Sequence, residues 1–445
     1  MKILFLYLSL IKRIKKESQL IFCSLIGILY FSATPALANQ ASDLTAAWSS
    51  DGYFPMVDEI SLEELVHFSL AESPSVIEGS LQTEMAEAML DEAKGGWLPK
   101  VSVNTGRSLL GSNNNTDYGL QVNQLLYDFG KTGYQIDAAS HNLVVNQYQK
   151  RIISKNIVLQ TALYYLEIKR FEQLILAMGE NIRNLEKLHS MASLRVNAGV
   201  TTQSDVLQIK SRISSMETIL IGYQANHDVW ITKISVLSGV AANRYQAFQH
   251  EKFDISSLQS IQLSTLPEML IAEANLNVAQ NDLKAAQSAK LPTIDMTLDI
   301  NKKDDTSSSD WDKQIYVNLN YPIYQGGVLT AQAKQASARV SIAKQNLQQA
   351  KLDIIQSSKI ALREFESAKR LKNESAIQNS TAKKAKDIYQ DEYLLGKRSL
   401  NDLLTAEQDL VQAIQAEVNA HFDGLMAAIN YLSIRGELLN VIKHG

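Results

Sequence analysis

Two periodicities divide this chain. In TIDMTLDI, Ile294, Met296, Leu298 and Ile300 share one parity and Thr293, Asp295, Thr297 and Asp299 the other. In QIYVNLNY, Ile315, Val317, Leu319 and Tyr321 alternate with Tyr316, Asn318 and Asn320. Earlier, Val101 and Val103 alternate with Ser102 and Asn104, and Tyr118, Leu120 and Val122 with Gly119, Gln121 and Asn123. Side chains of a strand point alternately to its two faces, so these stretches predict half-buried β-strands. The second periodicity is helical. Val206, Ile209, Ile213, Met216, Leu220 and Tyr223 step by three and four in turn, which is a heptad seam. Leu403, Leu410, Ile414, Val418 and Leu425 continue the theme. Proline breaks helix interiors. The seven prolines fall at 35, 55, 74, 99, 267, 292 and 322, so none interrupts the long stretches between 99 and 267 or after 322. A helix from Lys131 to Val196 would be about 100 Å long at 1.5 Å per residue, roughly three times the thickness of a bilayer core.

The pattern is written twice. LYDFGKTGYQIDAA lies over IYQGGVLTAQAKQA when Tyr127 is aligned with Tyr324, an offset of 197. Leu98-Pro99 matches Leu291-Pro292 at 193, Gly199 matches Gly396 at 197, and Leu237-Ser238 matches Leu432-Ser433 at 195. Landmarks in one order at nearly one offset indicate a tandem duplication. The expected organisation is a signal segment at 1–38 and a first repeat at 39–239, with strands near 98–127 and a turn near 199. A joint at 240–266 follows, then a second repeat at 267–445 with strands near 292–324 and a turn near 396.

Each chain then supplies four amphipathic strands. The stretches joining them, GSNNNTD and KKDDTSSSD, are polar, and Trp97, Tyr118, Tyr127, Trp311 and Tyr321 sit near strand ends, as an interfacial girdle would. Two hairpins packed on a soluble helical layer would also satisfy the alternation. In a membrane, however, an open sheet edge leaves backbone groups unpaired, and a barrel takes at least about eight strands. Four strands per chain therefore require oligomerisation; two chains would reach that count and three would exceed it.

Charge and leader bear on the compartment. Lys12, Arg13, Lys15 and Lys16 precede an apolar run at Leu20–Tyr30, and Ala36-Leu37-Ala38 is a small-x-small cleavage signal, the order of a secretory signal peptide. Removing 1–38 takes five basic residues and one acidic residue, leaving 38 against 46 and a net charge of −8, which argues against nucleic acid as a partner. The only cysteine, Cys23, lies in that leader, so no disulfide or thiolate metal site is expected. The seven histidines stand singly, none in an i, i+4 metal pair, and no G-x-S-x-G or paired-carboxylate constellation occurs. No catalytic chemistry, cofactor or metal is expected. Gly130-Lys131-Thr132 looks like the end of a phosphate-binding loop, but the glycine required five residues earlier is Leu125, so the cradle is missing.

With AKLPTIDMTL, YPIYQGG and the paired turns AGVTTQSDVL and GKRSLNDLL, the chain resembles the outer-membrane efflux protein family, the TolC-like channel subunits, over essentially its whole length after the leader. SLEELVHFSLAESPSV resembles the family's first helix, and Ser61 with Glu64 forms a capping box. The resemblance implies a mainly α fold with a membrane β part: a homotrimer with a 12-stranded barrel in the outer membrane of a Gram-negative bacterium, continuing into a long α-helical tunnel across the periplasm. It implies a passive exit duct whose partners are a periplasmic adaptor and an inner-membrane ABC exporter or proton-driven pump. Gly130, Gly326 and Gly327 become the points where a strand hands over to a tunnel helix, glycine being needed for positive φ and close backbone approach.

The same resemblance places a gate at the turns near 199 and 396. In the family a tyrosine and an arginine at the second turn hold the periplasmic tip shut, and aspartates narrow the pore; Tyr393, Arg398 and Asp402 match, as do Ser204 and Asp205 in the first repeat. The family's second constricting aspartate falls at Thr405, so a double acid ring is not expected. The expected bonds run from Arg398 to Ser204 or a nearby acid and from Tyr393 to Asp205. A plainer alternative exists for the aspartates, since Ser399-x-x-Asp402 and Thr202-x-x-Asp205 also read as helix caps. A different class of function, a periplasmic coiled-coil adaptor, would use the same heptads and leader without needing the strands. Cargo stays open between protein, drug and metal, with only the family-level likeness of LYDFGKT leaning toward type I protein secretion.

Overall fold

The computed structural model describes residues 54–107, 116–247, 262–303 and 311–443. The leader reading on 1–38, residues 248–261 of the expected joint and the centres of both polar loops lie outside these residues. Strand β1 (Met56–Ile60) leads into α1 (Leu62–Glu72) and α2 (Pro74–Gly95); β2 (Lys100–Arg107) and β3 (Thr116–Tyr127) follow, then α3 (Lys131–Asn197), α4 (Gln203–Ser238) and β4 (Ala241–Tyr245). After a 3-10 turn at Leu263–Thr265, the second pass runs α5 (Pro267–Ser288), β5 (Thr293–Lys303), β6 (Asp312–Asn320), α6 (Val328–Leu394), α7 (Leu400–Ile434) and α8 (Leu438–Lys443).

The two long helices, α3 and α6, have 67 residues each, so each is about 100 Å long. Local sequence sets their neighbours' ends. At α1, Ser61 N–H donates to the Glu64 carboxylate (2.8 Å) and Glu64 N–H donates to Ser61 Oγ (3.2 Å), so the capping box is reciprocal. The Ser61 backbone N–H and the Ser61 hydroxyl (2.8 Å) both donate to the Glu64 carboxylate and hold that carboxyl below its usual range. Pro74 and Pro267 open α2 and α5, where a missing N–H costs nothing. Both turns after the long helices are Schellman motifs. Gly199 and Gly396 each have φ 72°, Val200 N–H donates to Arg195 O, and Lys397 N–H donates to Glu392 O, both at 2.9 Å.

The four central strands form one antiparallel sheet in the order β2-β3-β5-β6. The β3–β5 pairing joins the two repeats and leaves β2 and β6 as edges. Register settles the faces. Leu298 pairs with Val122 and Ile315, and Met296 with Val317, on one face; Asp299 pairs with Gln121 and Gln314, and Thr297 with Asn123, on the other. The polar face is cross-linked: Thr297 Oγ1 donates to Asn123 Oδ1 (2.9 Å), and Asn318 Nδ2 donates to Thr297 Oγ1 and Asp295 Oδ2 (both 3.1 Å). The apolar face is bare within the chain, with Val103 78 % and Ile315 69 % exposed. A bulge at Leu126 lets Leu125 and Tyr127 face consecutive residues of β5 and bends β3 where the sheet meets the helices.

The helices repeat the order of the strands. β2 follows α2, β3 precedes α3, β5 follows α5 and β6 precedes α6, while α3 packs between α2 and α5, and α5 against α6. Beyond the ends of α2 and α5, the layer is completed by α4 against α3 and α7 between α3 and α6. Four chain segments therefore run side by side at every level.

One pairing escaped the sequence reading. β1 and β4 form a parallel two-stranded sheet that brings the two ends of the first repeat together. Ile60, Val240, Ala242 and Tyr245 pack there on Tyr165 and Ile168 of α3 and Ile234 of α4. Five-residue strands are too short for alternation to separate them from loop. The heptad residues Val206, Ile209 and Met216 are buried with Met178, Leu185 and Leu403 in the core of the half remote from the sheet. A second core, at mid-length, gathers Val158, Leu166, Phe422, Ile429 and Leu438.

Candidate functional site

Two places carry the residues singled out above: the hand-over from strand to helix and the turns at the far helix ends. At the first hand-over, Gly130 has φ 86° and Phe129 φ 54°. Buried Asp128 fills the N-terminus of α3, its carboxylate accepting from Gly130 N–H (3.1 Å) and Thr132 N–H (2.7 Å). The donors that a phosphate would need are thus already taken, which disposes of the nucleotide-loop likeness by geometry as well as by spacing. A Cβ on Gly130 would also press on the Tyr134 ring at 3.3 Å. At the second hand-over Gly326 (φ 59°) and Gly327 (φ 82°) meet nothing within 4 Å, so backbone conformation alone requires glycine. Position 128 corresponds to Gln325 at the 197 offset, so the buried carboxylate cap belongs to the first repeat only.

The turns at 198–202 and 395–399 lie together. Tyr393 is 4 % exposed, packed in the same core as Leu400 and Leu403. Its hydroxyl is buried with no hydrogen-bond partner in the chain, so the expected Tyr393–Asp205 bond is not made within one copy. Burial raises the pKa of that hydroxyl; Arg195 opposes the shift and Asp205 adds to it. Asp205 is engaged locally instead: its carboxylate accepts from the hydroxyls of Thr201 and Thr202, residues one turn back. Ser204 Oγ meets Thr202 Oγ1 at 2.6 Å and does not meet Arg398. Within the chain Arg398 bonds an acid on its own turn, not one that joins the two hairpins: Nε donates to Glu392 Oε2 at 2.6 Å, with the guanidinium 3.8 Å over the Tyr389 ring. The partner six residues away wins because the Schellman turn folds Arg398 back over the last turn of α6.

Asp402 divides cap from carboxylate. Its backbone N–H donates to Ser399 Oγ (3.2 Å), so Ser399 caps α7. The Asp402 side chain accepts no hydrogen bond in return, unlike Glu64 in the box at α1. Thr405, where a second acid would stand, donates its hydroxyl to Asn401 O (2.9 Å).

Two groupings were missed. Arg195, in the last turn of α3, donates from Nη1 to Tyr393 O (2.9 Å) and Leu394 O (3.5 Å), with its guanidinium 4.9 Å over the Tyr393 ring. A cation in the last turn of a helix is a readable signal, but it points first to its own helix rather than to the partner's. Further along the helices, Asn181 of α3, Lys386 of α6 and Glu407 of α7 form a buried polar cluster. Asn181 Nδ2 donates to Glu407 Oε2 (3.0 Å), and Lys386 Nζ lies 3.7 Å from Glu407 Oε1. Burial raises the Glu407 pKa, opposed by Lys386 and Asn181. Among the described residues no group of three or more His, Cys, Asp or Glu side chains is placed to hold a metal ion. Among them, too, no helix is long and apolar enough to cross a membrane.

Comparison with known proteins agrees with this architecture. The pattern of the family described as "Outer membrane efflux protein" matches residues 65–229 and 259–430, one stretch in each repeat. The chain is similar to outer membrane efflux protein BepC of Brucella suis biovar 1 (strain 1330), 25 % identical over 363 residues, 78 % of each chain. It is similar to outer membrane protein TolC of Escherichia coli (strain K12), 21 % identical over 88 % of this chain and 85 % of the relative. Among solved structures it matches the outer membrane protein VceC of Vibrio cholerae with a TM-score of 0.74 at 18 % identity, over 84 % of this chain and 96 % of the other.

Proposed function

The chain belongs to the outer membrane efflux protein family, and from that premise we propose that three copies close into one export duct, gated at the turns of the far helix ends. A family member of this kind is an outer-membrane channel subunit of an export system, and the family is made up of transport channels. The observation that carries the assembly is the four-stranded sheet, which has one bare apolar face, one polar face and two unpaired edges. A lipid-facing apolar side and closed edges satisfy it together. Each strand has its own helix in the same order, so whatever number of chains closes the barrel also closes the helical cylinder. Family membership favours three, giving a 12-stranded barrel.

The duct carries no energy source of its own on this reading. A periplasmic adaptor and an inner-membrane ABC exporter or proton-driven pump supply drive and selection, meeting the channel at its helical end. The adaptor alternative considered from the heptads alone has no use for a sheet with an apolar outer face. In the closed state, Tyr393, Arg398, Asp402, Ser204 and Asp205 stand at the constriction. The meeting of both turns in one core, with Tyr393 packed beside Leu400, Leu403 and Val206, supports this.

The test is membrane fractionation followed by light scattering of the detergent-solubilised protein with the detergent mass subtracted. The expected result is an outer-membrane pellet and a particle of three chains. A clean monomer, or release into the soluble periplasmic fraction, would overturn the proposal.

A further inference from the structure

We infer that Arg195 is the clamp that ties the two tip turns of one protomer together and so positions α6 and α7 in the closed state. The inference rests on reading the tip as the gate. The C-terminus of a helix carries partial negative charge and unpaired carbonyls. α6 ends with Asp391 and Glu392, both acidic, and has no basic residue in its last turn. Within the helix nothing offsets that charge; Arg398, folded back from the turn, pairs with the Glu392 side chain and leaves the last-turn carbonyls of Tyr393 and Leu394 to another donor. α3 has a basic residue in its last turn, Arg195.

That arginine serves the neighbouring helix. Nη1 donates to Tyr393 O at 2.9 Å and reaches Leu394 O at 3.5 Å, the last-turn carbonyls of α6. The same guanidinium lies over the Tyr393 ring. Its Nε is buried without a partner, so the charge is partly withdrawn from water and its bonds to α6 are screened less than a surface pair. Meanwhile the backbone carbonyl of Arg195 accepts from Val200 N–H and forms part of the Schellman turn of α3. One residue thus shapes the turn of the first repeat and caps the helix of the second.

The duplication makes the asymmetry plain. Arg195 and Glu392 occupy the same position of the two copies, four residues before Gly199 and Gly396. The first repeat's copy is a cation that crosses to the other hairpin. The second repeat's copy is an anion held within its own turn by Arg398. Divergence of charge at one duplicated position gives the hairpins a polarity, with α3 as the donor and α6 as the held element. Arg398, confined to its own turn, does not join the hairpins within the chain.

The test uses full-length protein with Cys23→Ser and nitroxides at Val200→Cys and Lys397→Cys, one on each turn, reconstituted in nanodiscs. Pulsed electron–electron resonance reads the shortest distance between labels, and planar-bilayer recording reads opening. Arg195→Gln is expected to lengthen and broaden that distance and to raise the share of open channels roughly tenfold, the effect of losing charge-assisted bonds. Arg195→Lys keeps the charge but loses the fork and the ring stacking, so it falls between. Glu392→Gln breaks a bond within one turn and leaves the distance as in the parent. A distance distribution for Arg195→Gln superimposable on the parent overturns the clamp; if that variant does not assemble, the same result for Arg195→Lys overturns it. So does equal widening by Glu392→Gln, which would reduce the effect to general tip charge. A widened distance with unchanged conductance upholds the clamp and instead sinks the reading of the tip as the gate.

Discussion

Single residues of this chain act through burial more than through identity. Glu407 is the clearest case: a carboxyl enclosed by three helices, beside Lys386 and Asn181. Its pKa is raised, burial being the first cause. A carboxyl with a raised folded pKa favours folding while it is protonated. That contribution is complete below the ordinary value of 4.5 and is lost as pH rises through the raised one. Glu407→Gln cannot ionise. Its melting temperature relative to the parent is therefore expected to climb as pH rises from 4.5 through that range, read by circular dichroism at 222 nm. Lys386 keeps Asp387 at 3.2 Å and Gln390 as partners in the variant, so no lone buried cation is left behind. A difference that stays flat with pH would show that Glu407 titrates as it does in the unfolded chain. None of this was legible beforehand: Asn181, Lys386 and Glu407 are far apart in the sequence, and each alone reads as an ordinary polar position on a helix. By contrast Ser61 and Glu64 were legible, because a capping box is closed within four residues.

At the scale of elements, periodicity was a good guide wherever an element was long. The four strands lie where alternation placed them, and the parity of each is the parity of its face. That gives a sharp expectation. Leu298 stands on the apolar face between Val122 and Ile315, and Asp299 on the polar face between Gln121 and Gln314. Leu298→Arg puts a charge into lipid and is expected to cost about 2–4 kcal/mol near the midplane, seen as loss of the assembled particle in light scattering. Asp299→Arg faces the water-filled interior and is expected to assemble at nearly the parent level. Equal assembly of the two variants would mean that the faces are reversed or the sheet is not in a membrane. The long helices were legible for a complementary reason: no proline interrupts them, and the turns that end them are marked by glycines at φ 72°. β1 and β4 were not legible, since what makes them strands is their parallel pairing with each other across the whole first repeat.

At the scale of the molecule, the proposed gate involves two helical hairpins rather than single side chains. The mid-length core lies well away from the tip contacts, so weakening the tip need not unfold the helices, although Tyr393 itself belongs to the other core. Tyr393→Phe combined with Arg398→Ser is expected to raise single-channel conductance while the trimer stays intact by light scattering. Tyr393→Phe removes a hydroxyl that is buried with no partner within the chain, so that half is expected to contribute the smaller share. Arg398→Ser frees Glu392 at the negative end of α6. Asp402→Ala leaves the Ser399 cap in place, because the bond uses the Asp402 backbone. Its expected effect is therefore a weaker cation preference with little change in melting temperature. A double variant that conducts like the parent, with Asp402→Ala altering stability alone, would move the gate elsewhere.

Periodicity and proline placement were sufficient for the strands, the long helices and their turns, because each depends on neighbours within one element. The family resemblance rested on the same local landmarks. Which side chains meet at the far end of two helices about 100 Å long depends instead on how those helices are staggered. No local rule sets that stagger; it follows from packing the buried seams of α3, α4, α6 and α7 against one another. Hence Tyr393, Arg398, Asp205 and Asp402 could be named in advance, but the bonds expected for them are not those made within the chain, and Arg195 showed only as a cation in its own helix's last turn. Its partners are backbone carbonyls of the other repeat, which carry no signature in sequence and come within reach only when the two hairpins are docked.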